Sequence, residues 1–145
     1  MVMRQTVLCT ADAVEDAFYE AMQQGELEAM MTLWADEEEV MCIHPGHDRL
    51  IGLQAIRASW EAIFRSGPVN IQRREVRAHT SAVLAVHNLV EHTLAFQPTG
   101  GASIRVDMVE CVATNIYVKQ ADGWRIMLHH SALRPSTHGD EGILH

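Results

Sequence analysis

The sequence has very little lysine: Lys119 stands alone beside ten arginines, and 19 acidic residues give a formal net charge of −8 at pH 7. Nucleic acid and anionic membrane surfaces repel an acidic chain, so we expect neither as a partner. No apolar run approaches the about 20 residues of a membrane span, and no signal peptide is apparent. These absences favour a soluble, cytoplasmic protein.

Cysteine is also scarce, because Cys9, Cys42 and Cys111 are scattered and show no C-x-x-C spacing. This pattern predicts free thiols in a reducing compartment. The chain has no glycine-rich phosphate loop, no G-x-S-x-G elbow and no H-E-x-x-H spacing. His44 and His47 could join His130 on a metal ion, but no fourth ligand is evident. We therefore expect neither a metal nor another cofactor.

The apolar content is sufficient for one folded domain, since 48% of the 145 residues are hydrophobic. A chain of this length buries roughly 70% of its extended surface and needs no disulfide to fold. We divide it into an N-terminal arm (1–9), a single domain (10–134) and a polar C-terminal tail (135–145).

The first half of the chain predicts three helices with a short strand before the third. The first helix begins near Thr10 or Asp12, where Asp12 and Glu15 resemble a capping box, and Gly25 is its expected left-handed cap. The second helix carries apolar residues on one face: Leu27, Met30, Met31 and Trp34. The third helix follows the strand at 40–43 and stops at Ser66.

From residue 69 onwards, alternating apolar residues and turn signals predict four strands, over 69–80, 82–96, 103–119 and 124–132. Short hairpin connections make such a sheet antiparallel. Because helices and strands are segregated, the class is α+β. We expect a curved antiparallel sheet, shaped like a cone and packed against the N-terminal helices, with a ligand entering at the open end.

The strongest candidate for chemistry is His44, at the end of the apolar stretch 40–43. Pro45 biases His44 towards extended backbone, and Gly46 allows a sharp exit. Such a histidine is either merely hydrogen-bonded at a strand end or a general base, a role that suits neutral imidazole near pH 7.

The last strand carries two adjacent histidines, of which only one can face inward. Strict alternation puts His130 on the face of Trp124 and Ile126, so we choose His130 as the inward histidine. His129 is then expected at a surface or an interface.

Two further polar residues lie within apolar strands. Asn115 shares a face with Tyr117, and its amide either braces the sheet or points at a ligand. Glu91 either faces outward or is a pocket acid with a raised pKa. A register slip of one residue reverses that assignment, so both alternatives stay open.

Over residues 10–134 the chain resembles the SnoaL-like and ketosteroid isomerase-like branch of the nuclear transport factor 2-like superfamily. The resemblance lies in the order and spacing of several short motifs: Gly-Glu-Leu at 25–27, Leu-Trp-Ala-Asp at 33–36, His-Pro-Gly at 44–46, Gly-Leu-Gln-Ala-Ile at 52–56, Ala-Thr-Asn at 113–115, Asp-Gly-Trp-Arg at 122–125 and His-His-Ser at 129–131.

This resemblance implies a cystatin-like α+β cone with a deep apolar pocket and a homodimer across the sheet. His44 falls where the steroid isomerases carry their general-base aspartate. Their carbonyl-polarising tyrosine falls at Phe18, with Tyr19 expected to face elsewhere, and their partner acid falls near Thr114. Two of the three isomerase groups are therefore missing, so steroid isomerisation itself is not expected.

The segment 124–131 is also similar to the association domain of calcium/calmodulin-dependent kinase. A pocket arginine of that domain falls at Asn115, which implies that Asn115 and His130 line the pocket. With Trp60, Phe18 and Tyr117, Asn115 completes the residues expected to bind a ligand.

Two functions follow as hypotheses. In the first, the chain is an acid–base enzyme of the isomerase, cyclase or hydrolase type, with His44 as base and His130 or Glu91 as partner on a small apolar substrate. In the second, it is a non-catalytic ligand-binding or accessory homodimer. The enzyme hypothesis requires His44, Asn115 and His130 to converge on one enclosed volume.

Overall fold

The computed structural model describes residues 8–135, except for the side chains of residues 97 and 98. The predicted arm and tail therefore lie almost wholly outside the described residues. Within them, three helices precede a meander of long strands, and no helix is long and apolar enough to cross a membrane. The α+β class predicted from the sequence is confirmed.

The helices are α1 (Ala11–Gln24), α2 (Leu27–Met31) and α3 (Leu53–Arg65). The Thr10 side chain caps α1 by accepting a hydrogen bond from the Ala13 N–H, and Gly25 ends the helix at φ 65°. The expected capping box is wrong, because Thr10 takes that role and Glu15 is buried in the interior.

Six strands form one open curved sheet: β1 (Met41–Ile43), β2 (Leu50–Ile51), β3 (Ile71–Thr80), β4 (Leu84–Pro98), β5 (Ile104–Gln120) and β6 (Gly123–Leu133). Their spatial order among the described residues is β2-β1-β6-β5-β4-β3. The sequence did not predict β2. The sheet is also not wholly antiparallel, because β1 pairs parallel to β6. Short hairpin connections make only consecutive strands antiparallel. They do not apply to β1 and β6, because α3 and strands β2 to β5 lie between these two strands in the chain.

A β-bulge in β6 decides which side chains face the helices. Ile116 pairs with Leu128 and Tyr117 pairs with Ile126, so Met127 is left as the extra residue. Trp124 and Ile126 face inward before the bulge. After it the alternation is shifted by one residue, so His129 faces inward and His130 faces outward.

The β4–β5 hairpin extends beyond its neighbours. β3 pairs with β4 only as far as Thr93, and β6 pairs with β5 only as far as Cys111. The extension is amphipathic, because its apolar residues pair directly across the two strands on the outer face of the sheet: Leu94 with Met108 and Phe96 with Val106. Of these residues, Phe96, Val106 and Met108 are more than half exposed.

Gly123 is the first residue of β6, and the Leu8 backbone packs closely against it. This contact can be tested by adding a side chain at Gly123. Its φ is +131°, and an added Cβ would lie 2.7 Å from the Leu8 backbone oxygen. We expect Gly123→Ala to lower the free energy of unfolding by about 2–4 kcal/mol in urea titrations. Gly46→Ala is the matched control, because Gly46 has φ +77° with no atom within 4 Å. Equal losses in the two variants would contradict the close contact.

Candidate functional site

A cavity of about 140 Å³ lies between α3, the end of β1 and the inward face of β4, β5 and β6. Its lining combines apolar side chains with a few polar groups: Met22, His44, Pro45, Trp60, Ile63, Val69, Ile71, Glu91, Thr93, Cys111, His129 and Ser131. A mostly apolar pocket with a few convergent polar groups is typical of a small-molecule site.

His44 reaches the cavity because Cys42, two residues earlier, pairs with His129 and faces inward. The His44 ring lies 4.8 Å from the Trp60 ring, measured between centroids. Its Nε2 atom lies 3.0 Å from the Ser59 hydroxyl, which itself donates to the Ile56 carbonyl. The hydroxyl therefore accepts from Nε2–H, and Nδ1 keeps the lone pair of the ring.

Burial, together with smaller contributions from the nearby His129 and His47, lowers the pKa of His44 to about 4. His44 is therefore neutral near pH 7, as a base must be before it accepts a proton.

His129 is the second histidine of the cavity, 6.4 Å from His44 between ring centroids. Its Nδ1 atom lies 2.6 Å from Oδ1 of Asn115, which can only accept, so Nδ1 carries the proton. Nε2 is then an acceptor, 4.0 Å from the carboxyl of Glu91. Burial lowers the pKa of His129 to about 3, so this ring is neutral as well.

Glu91 faces inward, which settles the alternative that the sequence left open. One carboxyl oxygen accepts from the Ser131 hydroxyl at 2.6 Å and the other from the Tyr19 hydroxyl at 2.7 Å. Burial raises the pKa of Glu91 although these two hydrogen bonds oppose the shift. A buried carboxyl with a raised pKa can hold a proton and donate it.

Asn115 lies behind His129 rather than on the cavity wall. Its amide nitrogen donates to the Tyr19 hydroxyl at 3.0 Å and to the Glu15 carboxylate at 3.3 Å. These bonds fix the amide so that its oxygen faces His129. Asn115 is thus a positioning residue for the tautomer of that ring.

Glu15 anchors this arrangement from α1. It also accepts from Tyr117 at 2.6 Å and from His87 at 3.0 Å, and Arg73 lies 3.5 Å away. Burial acts to raise the pKa of Glu15, but the hydrogen bonds from His87 and Tyr117 outweigh it, and the net shift is downward. Glu15 is therefore a buried carboxylate that stays charged.

The choice of His130 as the inward histidine is wrong, because the bulge at Met127 reverses the alternation and leaves His130 exposed. For the same reason His129 is buried and not at the surface. Tyr19 is also buried and bonded to Glu91 instead of facing elsewhere. Four further members of the site were not predicted from the sequence: His129, Tyr19, Glu15 and Ser131. The spacing of His129 and Ser131 indicates a shared face, but the bulge at Met127 decides that this face is the inward one.

The other predicted ligand-binding residues divide into two groups. Trp60 lines the cavity. Phe18 and Tyr117 do not: Phe18 packs edge-on behind His129 at 5.0 Å between centroids, and Tyr117 bonds to Glu15. Both side chains lie behind the residues that line the cavity. This corrects the expectation that Phe18 and Tyr117 contact a ligand directly. The expected convergence of His44, Asn115 and His130 is not found, because Asn115 lies behind His129 and His130 is exposed. The polar side chains that do meet at the cavity with His44 are Glu91 and His129.

The residues that line the cavity carry both hydrogen-bond donors and acceptors. His44 Nδ1 and His129 Nε2 are acceptors. The Trp60 indole N–H is a buried donor that finds no hydrogen-bond partner among the described residues, and the raised pKa of Glu91 favours the protonated, donating form of this carboxyl. Within residues 8–135, no three His, Cys, Asp or Glu side chains are grouped to hold a metal ion. This donor and acceptor set suits an uncharged polar group that gives up and regains a proton.

The burial of His129 predicts a loss of stability in acid. Its pKa is 6.5 in an unfolded chain and about 3 here. The unfolded state therefore binds more protons, and stability falls as the pH drops from 6.5 towards 3. Between pH 6.5 and pH 4 we expect this one ring to lower the free energy of unfolding by about 3 kcal/mol.

The variant His129→Gln keeps a donor to Asn115 but does not titrate. In urea titrations at the two pH values, the free energy of unfolding of this variant should therefore fall by about 3 kcal/mol less than that of the parent protein. His130→Gln is the matched control, since His130 is exposed. If both variants lose as much free energy of unfolding between pH 6.5 and pH 4 as the parent protein, His129 is not a buried neutral ring.

Comparison with known proteins gives a family match and several structural relatives. The family model of the SnoaL-like domain matches residues 11–134. A proposed calcium/calmodulin-dependent protein kinase type II association domain from Thiobacillus denitrificans is 32% identical, with a TM-score of 0.74 over 88% of this chain and 98% of that one. A proposed dehydratase of the nuclear transport factor 2-like family from Streptomyces avermitilis is 25% identical, with a TM-score of 0.77 over 86% and 94%.

One curated protein is a more distant relative. F-box protein SKIP8 of Arabidopsis thaliana is 23% identical over 121 residues, which cover 83% of this chain and 48% of that protein. The chain thus spans about half the length of this curated relative. The family match, the mixed α+β sheet and the pocket position of His44 agree with one another. The chain belongs to the SnoaL-like family of the nuclear transport factor 2-like superfamily.

Proposed function

We propose that the protein is an acid–base enzyme that moves a proton on a small, uncharged and largely apolar carbonyl compound. His44 takes a proton from the carbon beside the carbonyl group through Nδ1. Glu91 in its protonated form and the Trp60 indole N–H donate hydrogen bonds to the developing oxyanion. The proton then returns to the same or to another carbon, so no cofactor is required.

One observation carries this proposal: His44, His129 and Glu91 face one small cavity, and each has its pKa shifted towards its neutral form. Without a substrate, His44 is a weak base because its pKa is lowered to about 4. An oxyanion forming beside it stabilises the imidazolium and raises the pKa of His44 in the transition state. The similarity to a proposed dehydratase supports proton transfer as the reaction class.

The first test is the exchange of α-protons of cyclohexanone in D₂O, followed by proton NMR. We expect the protein to accelerate the exchange, and His44→Gln and Glu91→Gln each to reduce the enzymatic rate by roughly 10²–10⁴-fold. His47→Gln is the matched control, because His47 is an exposed histidine of the same loop. The exchange should require neutral His44, giving an acid limb near pH 4, and protonated Glu91, giving an alkaline limb at its raised pKa.

Saturation-transfer NMR separates binding from catalysis in the same samples. The proposal expects His44→Gln to bind cyclohexanone and fail to exchange it. Exchange that persists unchanged in both variants would contradict the assigned roles. Binding without any exchange in the parent protein would leave the ligand-binding alternative.

A specific observation favours a second function, a homodimeric association module. The outer face of the β4–β5 hairpin exposes Phe96, Val106 and Met108, and an isolated two-stranded ribbon with an open apolar face is unstable in water. The similarity to a proposed association domain supports pairing of two copies across this face. A dimer is compatible with the enzymatic proposal, because the cavity opens on the opposite face of the sheet.

Dimerisation is tested by replacing an apolar side chain in the middle of the hairpin face. We expect the parent protein to have twice the mass of one chain in sedimentation equilibrium, and Val106→Lys to weaken association by at least about 100-fold, since burying an unpaired charge is costly. Val83→Lys is the control, because Val83 is an exposed valine in the turn between β3 and β4, away from the hairpin face. A monomeric parent protein, or association unchanged by Val106→Lys, would exclude this interface.

A further inference from the structure

A second opening adjoins the cavity along α3. It is a groove of about 420 Å³ between α3 and the loop from His44 to Leu50, lined by His44, His47, Asp48, Leu50, Ser59, Ala62 and Ile63. His44 and Ile63 line both spaces. The groove therefore adjoins the cavity at these two side chains, one of which is the proposed base.

The two spaces differ in size and in what they offer to a ligand. The cavity, at about 140 Å³, has room for about six heavy atoms, since an engineered cavity of about 150 Å³ holds one benzene. Drug-sized ligands fill sites of about 300–1,000 Å³. The cavity alone is below this range, whereas the groove lies within it.

The polar groups around the groove are already paired within the protein. The Ser59 hydroxyl bonds to His44 and to the Ile56 carbonyl, and the His47 ring bonds to the Pro45 carbonyl. Asp48 accepts from the Arg49 N–H. The groove therefore favours an apolar ligand group, which would contact Leu50, Ala62 and Ile63, over a charged or hydrogen-bonding group.

From this difference we infer that the ligand is bipartite, with an uncharged polar head of about six heavy atoms in the cavity and an unbranched apolar tail in the groove along α3. The inference rests on the proposed function for the head and adds the tail. His44 lies at the junction, so the reacting carbon is the part of the head nearest to the tail. Ala62 is then the residue that limits the tail.

The test is a homologous series of cyclohexanone and its 2-ethyl, 2-butyl and 2-hexyl derivatives, which carry the tail on a reacting carbon, with dissociation constants measured by ligand-observed NMR. In the parent protein we expect about twofold to fourfold tighter binding for each added methylene until the groove is filled. Ala62→Phe fills the groove, so it should abolish this gain and leave the dissociation constant of cyclohexanone unchanged. Ala62→Leu, a smaller change, should give a gain in affinity for each added methylene that lies between those of the parent protein and Ala62→Phe.

Ala58→Phe is the matched control, because Ala58 lies one turn earlier on α3, is equally exposed and faces a different depression. It should leave the whole series unchanged. If cyclohexanone binds but added methylenes bring no gain, or if the gain survives Ala62→Phe, the tail is refuted and the proposed function stands. If no member of the series binds, the proposed function fails, and the inference fails with it.

Discussion

The buried carboxylate of Glu15 is the interaction on which the rest of the interior depends. It lies on α1, and its partners His87, Asn115 and Tyr117 lie on β4 and β5. One charged group thus joins the first helix to two central strands. Removing one partner of a buried charge typically costs about 3–5 kcal/mol, so these contacts specify the docking of α1 strongly. Through Asn115 the same carboxylate also fixes the tautomer of His129.

The two buried carboxyls, Glu15 and Glu91, respond in opposite ways to burial. Burial acts to raise both pKa values, but Glu15 also receives hydrogen bonds from His87 and Tyr117, and its net shift is downward. Glu91 receives only the hydroxyls of Ser131 and Tyr19, and burial prevails. Such a separation by environment keeps Glu15 charged and makes Glu91 the carboxyl suited to the proton-donating role that we propose.

The sheet serves two purposes because its faces differ. The inward face presents His129, Glu91 and Ser131 to the cavity, and the parallel pairing of β1 with β6 brings His44 to the same place. The outward face carries His130 and the open apolar surface of the β4–β5 hairpin. A change in ligand chemistry and a change in association can therefore arise from different residues of the same strands, which is one physical reason why a single fold hosts many functions.

The sequence by itself determined the three helices, the four long strands, their α+β class and the pocket position of His44, since periodicity, caps and the His-Pro-Gly exit are local signals. It left the direction of Glu91 open, and it assigned His130 instead of His129 to the interior. The orientations of Glu91 and of the two histidines depend on strand register. The bulge at Met127 has no signal in the local sequence, because it is set by pairing with β5. Glu15 was also missed, since a carboxylate one turn into a helix resembles a cap. Only the tertiary structure supplies the three buried donors that keep it charged, and with them the geometry of the site.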